Sequence, residues 1–545
     1  MKIALAQINT IIGDFEHNTK KMLQYIKEAE DKGADIIIFP ELATTGYPPR
    51  DFLEFKDFIN KAEESIERLK KASKNIAIVV GTPSKNPVIE GKDLYNSVVF
   101  LYGEKEIYRQ HKTLLPTYDI FDEARYFEEA SNWDIVEFKG KKIALTVCED
   151  LWNLGNENPL YTVNPMDKMM RHNPDFIINV SASPFDYKHA KERIKVLKEN
   201  VKAYNIPVFY VNHTGAQTDI IFDGGSLVIN KNQKVVTELP YFEEKLEIIE
   251  LEKIDGIQEE KTQPKEKIPL IKKALITGIR DYFGKIGFKS AVLGLSGGLD
   301  SAVTTVLAVE ALGKENVRVL LMPSQFSSAH SVKDAEDLAK NLGMRYDIVP
   351  IKSIYEAYLT QLTPLFEGRP FDVTEENIQA RIRGNLLMAI SNKFGNILLN
   401  TTNKSEMAVG YGTLYGDLAG GISVIGDVYK TEIFELAKYI NKEQEIIPVH
   451  TIIKPPSAEL RPNQKDSDSL PDYDVLDPIL RLYIEGQKGP DEIISMGYDE
   501  KLVNRILKMV NRNEFKRHQT APVLRVSPKA FGMGRRMPIV AKYLE

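Results

Sequence analysis

The sequence predicts an α/β protein of two domains, a layered domain of mixed strand pairing followed by a doubly wound parallel sheet. The chain has 545 residues, which is more than one ordinary globular domain holds. Apolar runs rich in Ile and Val recur from residue 2 to about 250, some in direct succession and others after helical segments. Beyond about residue 268 the strands alternate with helices, which is typical of βαβ units.

The composition argues against several classes of protein. Hydrophobic residues make up 43% of the chain, which is enough to build cores and argues against disorder. The formal net charge of −6 argues against a nucleic-acid-binding protein. No apolar run approaches the ~18 residues that a membrane span needs. The single cysteine excludes an internal disulfide and a cysteine-rich zinc site. We therefore expect a soluble cytoplasmic protein without nucleic-acid or membrane partners.

The strands of the first domain are predicted from short apolar runs bounded by Gly, Pro, Asn or Asp. They cover 2–8, 35–41, 75–83, 94–102, 141–147, 174–182, 206–214 and 224–230. A helix is predicted over 16–32, because Met22 and Ile26 share its apolar face and Gly33 ends it.

The second domain is separated from the first by a polar, charged stretch at 251–267 that is typical of a linker. This division predicts domains at 1–250 and 268–545. Strands are predicted at 289–296, 317–324, 345–351 and 396–400, and helices at 269–282, from Asp300, at 331–342 and at 376–392.

A glycine-rich loop stands where the first strand of the second domain gives way to a helix. Its glycines allow the backbone to approach a ligand closely, and the N–H groups at the helix start suit pyrophosphate. Neither the Walker spacing nor the dinucleotide-binding spacing is present. The alternative is an ordinary glycine turn with Asp300 as a helix N-cap. The predicted ATP-binding loop comprises Gly294, Leu295, Ser296, Gly297, Gly298, Leu299, Asp300 and Ser301.

The Ser-Gly-Gly-Leu-Asp-Ser pattern of this loop resembles that of the ATP-pyrophosphatase type, whose enzymes cleave ATP between the α- and β-phosphates. Further downstream, TTNKSE (401–406), GYGTLYGD (410–417), DVYKTEIFELA (427–437), KPPSAELRPNQKD (454–466) and LPDYDVLD (470–477) resemble the synthetase domain of the NAD synthetase family. The resemblance covers most of 268–545. It implies adenylation of the nicotinate carboxylate of deamido-NAD, followed by displacement of AMP by ammonia.

The same resemblance implies roles for individual residues of the second domain. It places Thr401, Lys430 and Ser457 near ATP, and Asp300 and Glu406 at Mg²⁺. It also places Asn377, Arg381, Glu406 and Lys516 near deamido-NAD. One position departs from the pattern, since Leu414 stands where ammonia-dependent members of the family tend to have a lysine.

A second group of candidate residues, Glu41, Lys112 and Cys148, lies in the first domain. Each follows an apolar strand, where open sheets and sandwiches commonly build their sites. A glutamate can take the proton of a cysteine nucleophile, and a lysine can stabilise the thiolate and the tetrahedral oxyanion. The alternatives are a buried small cysteine, a strand-ending glutamate and a solvated lysine.

This domain resembles the nitrilase superfamily of carbon–nitrogen hydrolases, which implies an αββα sandwich with Glu41, Lys112 and Cys148 as catalytic residues. In the glutaminase branch, the resemblance implies that Tyr118 and Ser183 contact glutamine. A lysine usually stands six places after that serine. Here His189 occupies the place and Lys188 precedes it, so either side chain is a candidate contact. Glu149 and Trp152 are expected to shape the same pocket.

Together the two resemblances imply glutamine-dependent synthesis of NAD from deamido-NAD and ATP. Another glutamine amidotransferase with this ATP loop is one alternative, but Lys2 stands where asparagine synthetases carry their nucleophile. A nonenzymatic adenine-nucleotide sensor is the other. The resemblance further implies a homo-oligomer built on synthetase-domain dimers.

Overall fold

The computed structural model describes residues 1–154, 159–462 and 464–544. The chain divides into two compact units, Met1–Lys265 and Glu266–Glu545. Among the described residues, no helix is both long enough and apolar enough to cross a membrane.

The first unit is built from strands and a few helices. Its strands are β1 (Lys2–Gln7), β2 (Ile36–Ile38), β3 (Ala77–Lys85), β4 (Leu94–Tyr102), β5 (Lys105–His111), β6 (Val136–Phe138), β7 (Lys141–Val147), β8 (Phe176–Ser181), β9 (Val208–Asn212), β10 (Thr214–Gln217), β11 (Ile220–Asp223), β12 (Leu227–Ile229), β13 (Val235–Glu238) and β14 (Lys245–Glu250). Its α-helices are α1 (Phe15–Asp31), α2 (Lys56–Ala72), α3 (Pro165–Met169) and α4 (His189–Tyr204). Its 3-10 helices are Arg50–Glu54, Glu123–Arg125, Cys148–Leu151, Met170–His172 and Leu251–Gly256.

Two six-stranded mixed sheets face each other in this unit, with the orders β14-β1-β2-β3-β4-β5 and β13-β12-β9-β8-β7-β6. Alternate residues of each strand point to opposite faces. Leu5 and Ile38 of one sheet and Ile178 of the other lie in the core between the sheets. The outer faces are covered by α1 and α2 on one side and by α3 and α4 on the other. This is the predicted αββα sandwich with mixed pairing.

Several elements of the first unit lie outside the predicted ranges, among them β5, β14 and the 3-10 helix that follows β14. The edge strands β5 and β14 lie outside the predicted strands, because charged residues interrupt the apolar ones in their sequences KEIYRQH and KLEIIE, and neither has a buried apolar run. The stretch predicted as a linker, 251–267, begins with the 3-10 helix Leu251–Gly256, and Ile254 is buried in the core between the sheets.

The second unit contains one parallel sheet and many helices. Its strands are β15 (Ala291–Gly294), β16 (Val317–Leu321), β17 (Arg345–Ile348), β18 (Ile397–Asn400) and β19 (Ile422–Ser423). Its α-helices are α5 (Lys267–Ile286), α6 (Leu299–Leu312), α7 (Ala329–Asn341), α8 (Lys352–Leu362), α9 (Val373–Phe394), α10 (Lys404–Val409), α11 (Lys430–Ile440), α12 (Val449–Ile453), α13 (Tyr473–Ile484), α14 (Pro490–Ser495), α15 (Glu500–Arg512) and α16 (Glu514–Arg517). Its 3-10 helices are Lys314–Asn316, Thr363–Phe366 and Asp466–Asp468.

The sheet of the second unit has the order β17-β16-β15-β18-β19, with every pair parallel. Val292 and Leu320 pack against α8 and α9, while α6 and α7 also contact β15 and β16. From β15 the chain continues to β16 and β17 on one side, and β18 and β19 lie on the other side. In such folds ligands bind beyond the carboxyl ends of the strands at the point where the order changes direction. The predicted doubly wound parallel sheet is confirmed, and the glycine-rich loop leaves β15 at this position.

Candidate active sites

The three candidate catalytic residues of the first unit each lie just past a strand. Glu41 follows β2, Lys112 directly follows β5, and Cys148 directly follows β7. Cys148 has a φ of +39°, a left-handed conformation that a residue with a side chain rarely adopts. The buried turn positions the thiol at the end of the strand instead of continuing the sheet.

The buried carboxylate of Asp150 fixes this turn. One oxygen accepts hydrogen bonds from the backbone N–H groups of Thr113 (2.9 Å) and Leu114 (3.0 Å), and the other accepts from Val147 N–H (3.0 Å). These contacts connect the turn at Cys148 to the chain that follows Lys112. The sandwich thereby holds the predicted nucleophile and lysine in a defined relation.

Glu41 and Lys112 form an ion pair with no solvent exposure. Lys112 Nζ donates to Glu41 Oε1 at 2.8 Å, and Asn96 Nδ2 donates to the same oxygen at 2.7 Å. The other oxygen, Oε2, accepts a hydrogen bond from the backbone N–H of Ala182 at 2.8 Å. A buried ion pair requires such additional partners, because each charge has lost its water.

A second carboxylate, that of Glu123, completes this group. Lys112 Nζ donates to Glu123 Oε1 at 2.8 Å, and Tyr47 OH donates to the same oxygen at 2.8 Å. Burial lowers the pKa of Lys112, but Glu123 and Glu41 outweigh burial and raise that pKa well above its ordinary value. The two carboxylates therefore favour the charged form of Lys112. Sequence reasoning missed Glu123, which lies in the short 3-10 helix Glu123–Arg125 and follows no apolar strand.

The Cys148 thiol is buried and electrostatically coupled to this group. Burial raises the pKa of the thiol well above its ordinary value, the Glu41 carboxylate raises it further, and the Lys112 ammonium lowers it. The resting cysteine is therefore a neutral thiol. It becomes a nucleophile only as a base removes its proton, and Glu41 is the carboxylate with the largest influence on it.

The predicted glutamine contacts form two small groups. Tyr118 OH donates to Glu149 Oε1 at 2.9 Å, and the Tyr161 hydroxyl donates to the same oxygen at 3.1 Å. Burial raises the pKa of Glu149 to about 7. Sequence reasoning had assigned Glu149 only to the shape of the pocket, and its position directly after Cys148 was the available signal.

The second group contains the serine and the two basic candidates that follow it. Ser183 Oγ lies 2.6 Å from His189 Nε2, and the His189 ring stacks on Trp152 with 4.8 Å between ring centroids. The Lys188 ammonium instead lies over the ring of Tyr187. The geometry thus associates His189, and not Lys188, with Ser183.

In the second unit, the glycine-rich loop has the conformation that its sequence predicts. Gly297 has a φ of +81°, and a Cβ atom there would lie 2.1 Å from the carbonyl oxygen of Ser331. Ser296 and Ser301 hydroxyls lie 3.1 Å apart and bond to the loop backbone. Helix α6 begins at Leu299 after Gly298, so Asp300 is not its N-cap.

A cavity of about 310 Å³ opens above this loop at the carboxyl edge of the sheet. Most of the predicted ATP-binding residues line it, and so does Glu406, whereas Gly297 does not. The predicted residues that line the cavity are Gly294, Leu295, Ser296, Gly298, Leu299, Asp300, Ser301, Thr401, Lys430, Ser457 and Glu406.

Charged side chains meet at the loop end of the cavity. Lys430 Nζ forms an ion pair with Asp300 Oδ2 and lies 3.8 Å from Glu406 Oε1. Asn403 Nδ2 donates to Asp300 Oδ1 at 3.0 Å. Burial raises the pKa of the Glu406 carboxyl well above its ordinary value, and Asp300 raises it further, while Lys430 lowers it. Asp300 therefore opposes ionisation of Glu406, and the Lys430 cation offsets part of this effect.

This donor set fits Mg²⁺ only in part. Mg²⁺ prefers oxygen ligands and commonly binds one or two carboxylates together with water and substrate phosphates. Asp300 and Glu406 supply two carboxylates, but no group of three or more His, Cys, Asp or Glu residues suited to a metal occurs in the described chain. The remaining ligands would have to come from the nucleotide and from water.

The residues assigned to deamido-NAD meet around one segment, Gly410–Leu414. Asn377 Oδ1 accepts from Thr413 Oγ1 at 2.7 Å, and Arg381 Nε donates to the Leu414 carbonyl at 3.3 Å. Lys516 Nζ donates to the carbonyls of Gly410 (2.8 Å) and Gly412 (2.9 Å). The described lining of the cavity does not include Asn377, Arg381 or Lys516, so these three residues form a separate group beside it. Glu406 does line the cavity, and it lies on helix α10, which directly precedes the segment Gly410–Leu414.

Comparison with known proteins gives matches over both units. Residues 2–255 match the Carbon-nitrogen hydrolase family, and residues 271–520 match the NAD synthase family. The glutamine-dependent NAD(+) synthetase of Synechocystis sp. is 46% identical, with 99% of each chain covered. That of Thermotoga maritima is 39% identical, with 100% of this chain and 99% of the relative covered. The structure of the glutamine-dependent NAD+ synthetase from Acinetobacter baumannii in complex with ADP has a TM-score of 0.78 at 38% identity and covers 99% of this chain and 98% of that one.

Proposed function

The chain belongs to the glutamine-dependent NAD(+) synthetase family, and from this premise we propose how its residues divide the reaction. The first unit releases ammonia from glutamine, and the second unit uses ATP to activate deamido-NAD for attack by that ammonia. The observation that carries the proposal is the buried group of Glu41, Lys112 and Cys148 in one unit, with a phosphate-binding loop in the other.

In the glutaminase step, Glu41 takes the proton of the Cys148 thiol while the sulfur attacks the carboxamide carbon of glutamine. Lys112 stabilises the negative charge that develops on the carboxamide oxygen. The carbon–nitrogen bond then breaks, the leaving nitrogen takes the proton that Glu41 holds, and ammonia departs. A glutamyl thioester remains on Cys148, and water hydrolyses it to glutamate and the free thiol.

Recognition of glutamine requires partners for both of its α-substituents. We assign Tyr118, Glu149, Ser183 and His189 to this task. The Glu149 carboxylate matches an α-ammonium group, and the Ser183–His189 pair supplies donors for an α-carboxylate. Lys188 is not given a role.

In the synthetase step, a nicotinate carboxylate oxygen attacks the α-phosphorus of ATP, the bond to the bridging oxygen breaks, and pyrophosphate leaves. Ammonia then attacks the adenylated carbonyl carbon, and AMP leaves as NAD forms. The loop from Gly294 to Ser301 holds the phosphates through its N–H groups, together with Thr401, Ser457 and Lys430. The complex of the Acinetobacter baumannii relative with ADP supports the binding of an adenine nucleotide by this chain.

We assign Asn377, Arg381, Glu406 and Lys516 to deamido-NAD because they surround the segment Gly410–Leu414 beside the cavity. Asp300 and Glu406 would hold Mg²⁺, which when bound neutralises charge on the departing pyrophosphate.

Substitution of the nucleophile tests the division of labour. A Cys148→Ala variant is expected to lose NAD formation with glutamine and to retain it with ammonium chloride as the nitrogen source. The unchanged chain, assayed with both nitrogen sources, is the control, and thermal unfolding checks that the variant is folded. Equal activity of the variant with glutamine and with ammonium would contradict the assignment.

We also propose a cytoplasmic homo-oligomer built on synthetase-domain dimers. Leu365, Phe371 and Val373 are apolar, more than half exposed and close in sequence, which supports an association surface near the start of α9. Light scattering should give a mass that is a multiple of the 61.7 kDa chain. A single-chain mass with full glutamine-dependent activity would refute this assembly.

A further inference from the structure

Arg383 is a basic residue of the nucleotide cavity that has received no role above. It lies on α9, lines the cavity and is partly buried. Its Nε donates to the carbonyl oxygen of Met322 at 3.0 Å. Among the residues that the structure describes, no carboxylate lies within ion-pair distance of its guanidinium.

The other cations of the cavity are already paired. Lys430 bonds to Asp300 and approaches Glu406, and Lys454 forms an ion pair with Asp334 at 2.9 Å. Arg383 differs from both because its one side-chain hydrogen bond in the described structure goes to a neutral carbonyl.

The surroundings leave Arg383 charged and incompletely compensated. Burial lowers its pKa to about 10, against the opposing influence of Asp417 and Glu459. The guanidinium is still a cation at neutral pH. Partial removal from water without a counter-ion is unfavourable, and such groups are concentrated at functional sites.

The chemistry of the cavity indicates what the guanidinium is for. ATP brings several negative charges into a space that Asp300, Glu406 and Asp466 already line. A guanidinium presents two parallel N–H donors that match two oxygens of a phosphate or carboxylate. Met322 follows β16, the neighbour of β15, so Arg383 lies at the same carboxyl edge of the sheet as the phosphate-binding loop.

We propose that Arg383 is a further oxyanion-binding residue of this cavity, with its terminal N–H groups donating to a phosphate or carboxylate of a bound substrate. The inference rests on the proposed function, because that function places one oxyanion-bearing substrate in the cavity and a second one beside it. The oxyanion belongs either to ATP or to deamido-NAD, and separate binding measurements distinguish the two.

The test compares Arg383→Met and Arg383→Lys in the full chain, with Arg369→Met as the matched control. Arg369 is an exposed arginine of the same unit, outside the cavity. Calorimetry gives the dissociation constant of ATP without deamido-NAD and that of deamido-NAD without ATP. Loss of a charged hydrogen-bonding group is expected to weaken one of the two roughly 10- to 100-fold in Arg383→Met, and less in Arg383→Lys. The control should bind both substrates as the unchanged chain does.

Thermal unfolding without substrates separates a binding role from a structural one. If the role of Arg383 is to bind an anion of the substrate, Arg383→Met without substrates should unfold at the same temperature as the unchanged chain or at a higher one. Dissociation constants of both substrates within twofold of those of the unchanged chain would overturn the inference, whether or not the unfolding temperature is lower. If Arg383→Met does not fold, Arg383→Gln, which also removes the charge, replaces it under the same criteria.

Failure of the proposed function gives a different result. In that case the unchanged chain would release no pyrophosphate when supplied with ATP, deamido-NAD and ammonium. Failure of the inference about Arg383 appears only in its variants.

Discussion

Replacing Glu123 by Gln tests whether the second carboxylate on Lys112 is part of the glutaminase machinery. The substitution keeps the size of the side chain and one acceptor oxygen, but it removes the negative charge. Lys112 Nζ would keep its 2.8 Å bond to Glu41 and lose its second charged partner, while Tyr47 OH would compete for the remaining oxygen. We expect the ammonium group of Lys112 to be less firmly held.

The size of the effect follows from the type of bond that is lost. A hydrogen bond between charged groups contributes about 1.5–3 kcal/mol, whereas a neutral one contributes about 0.5–1.5 kcal/mol. The difference of roughly 1–1.5 kcal/mol corresponds to about a 5- to 13-fold loss in rate. One influence opposes this loss, because Glu123 also raises the pKa of the Cys148 thiol. Glu123 has a smaller influence on that pKa than burial, Glu41, Lys112 and Glu149 have. We therefore expect the weaker hold on Lys112 to decide the result, so that the rate falls.

The assay measures glutamate release and NAD formation with glutamine, and NAD formation with ammonium chloride. Only the glutamine-dependent rates should fall. Glu129→Gln is the matched control, since Glu129 is an exposed glutamate in the same loop region. Glutamine turnover of the Glu123→Gln variant within twofold of the unchanged chain would refute the reasoning, as would an equal fall in the ammonium-dependent rate.

Three further substitutions test the sites. Asp300→Asn should lower the rate of pyrophosphate release roughly 100-fold or more, because the proposed Mg²⁺ ligand, which is also the ion-pair partner of Lys430, loses its charge; an unchanged rate in a coupled pyrophosphate assay would remove Asp300 from that role. Gly297→Ala should lower the unfolding temperature more than Gly298→Ala, because its Cβ would meet the Ser331 carbonyl at 2.1 Å, and equal unfolding temperatures would contradict this. Burial raises the pKa of Glu149 from 4.5 to about 7, so the folded chain retains this proton while the unfolded chain loses it. The free energy of unfolding should therefore fall by up to about 3 kcal/mol as the pH rises from 4.5 to about 7. Relative to the unchanged chain, Glu149→Gln should have a higher unfolding temperature at pH 8 than at pH 5. Unfolding temperatures of the two proteins that change in parallel with pH would contradict this sign.

The strand ends of the two units could be predicted because their signals are local. In each case an apolar run is followed within a few residues by a functional segment, which is Cys148 after β7 and the glycine-rich loop after β15. A short stretch of sequence therefore identifies both the strand and the candidate site residues at its end. Burial on both faces gives these strands uninterrupted apolar sequences. The edge strands β5 and β14 lack that pattern, since charged residues interrupt their apolar residues.

The partners of the site residues could not be predicted, because they are brought together by the fold from distant parts of the chain. Asn403 bonds to Asp300 across 103 positions, and Asn96 bonds to Glu41 across 55. No spacing rule connects such pairs, and each of these side chains taken alone is an ordinary polar residue. The separation between the cavity and the group around Gly410–Leu414 is likewise a property of the folded chain alone.

Arg381 and Arg383 show why sequence alone cannot rank neighbouring residues. They lie two positions apart on α9, and residues two apart do not share a helix face. Arg381 is exposed and bonds to the Leu414 carbonyl, whereas Arg383 turns to Met322 and lines the cavity. The helix therefore presents one guanidinium to the segment beside the cavity and the other to the cavity itself. Because the two arginines meet different surroundings, a substitution at one should leave the substrate contact of the other intact, and comparing their separate effects on ATP and deamido-NAD binding tests that division directly.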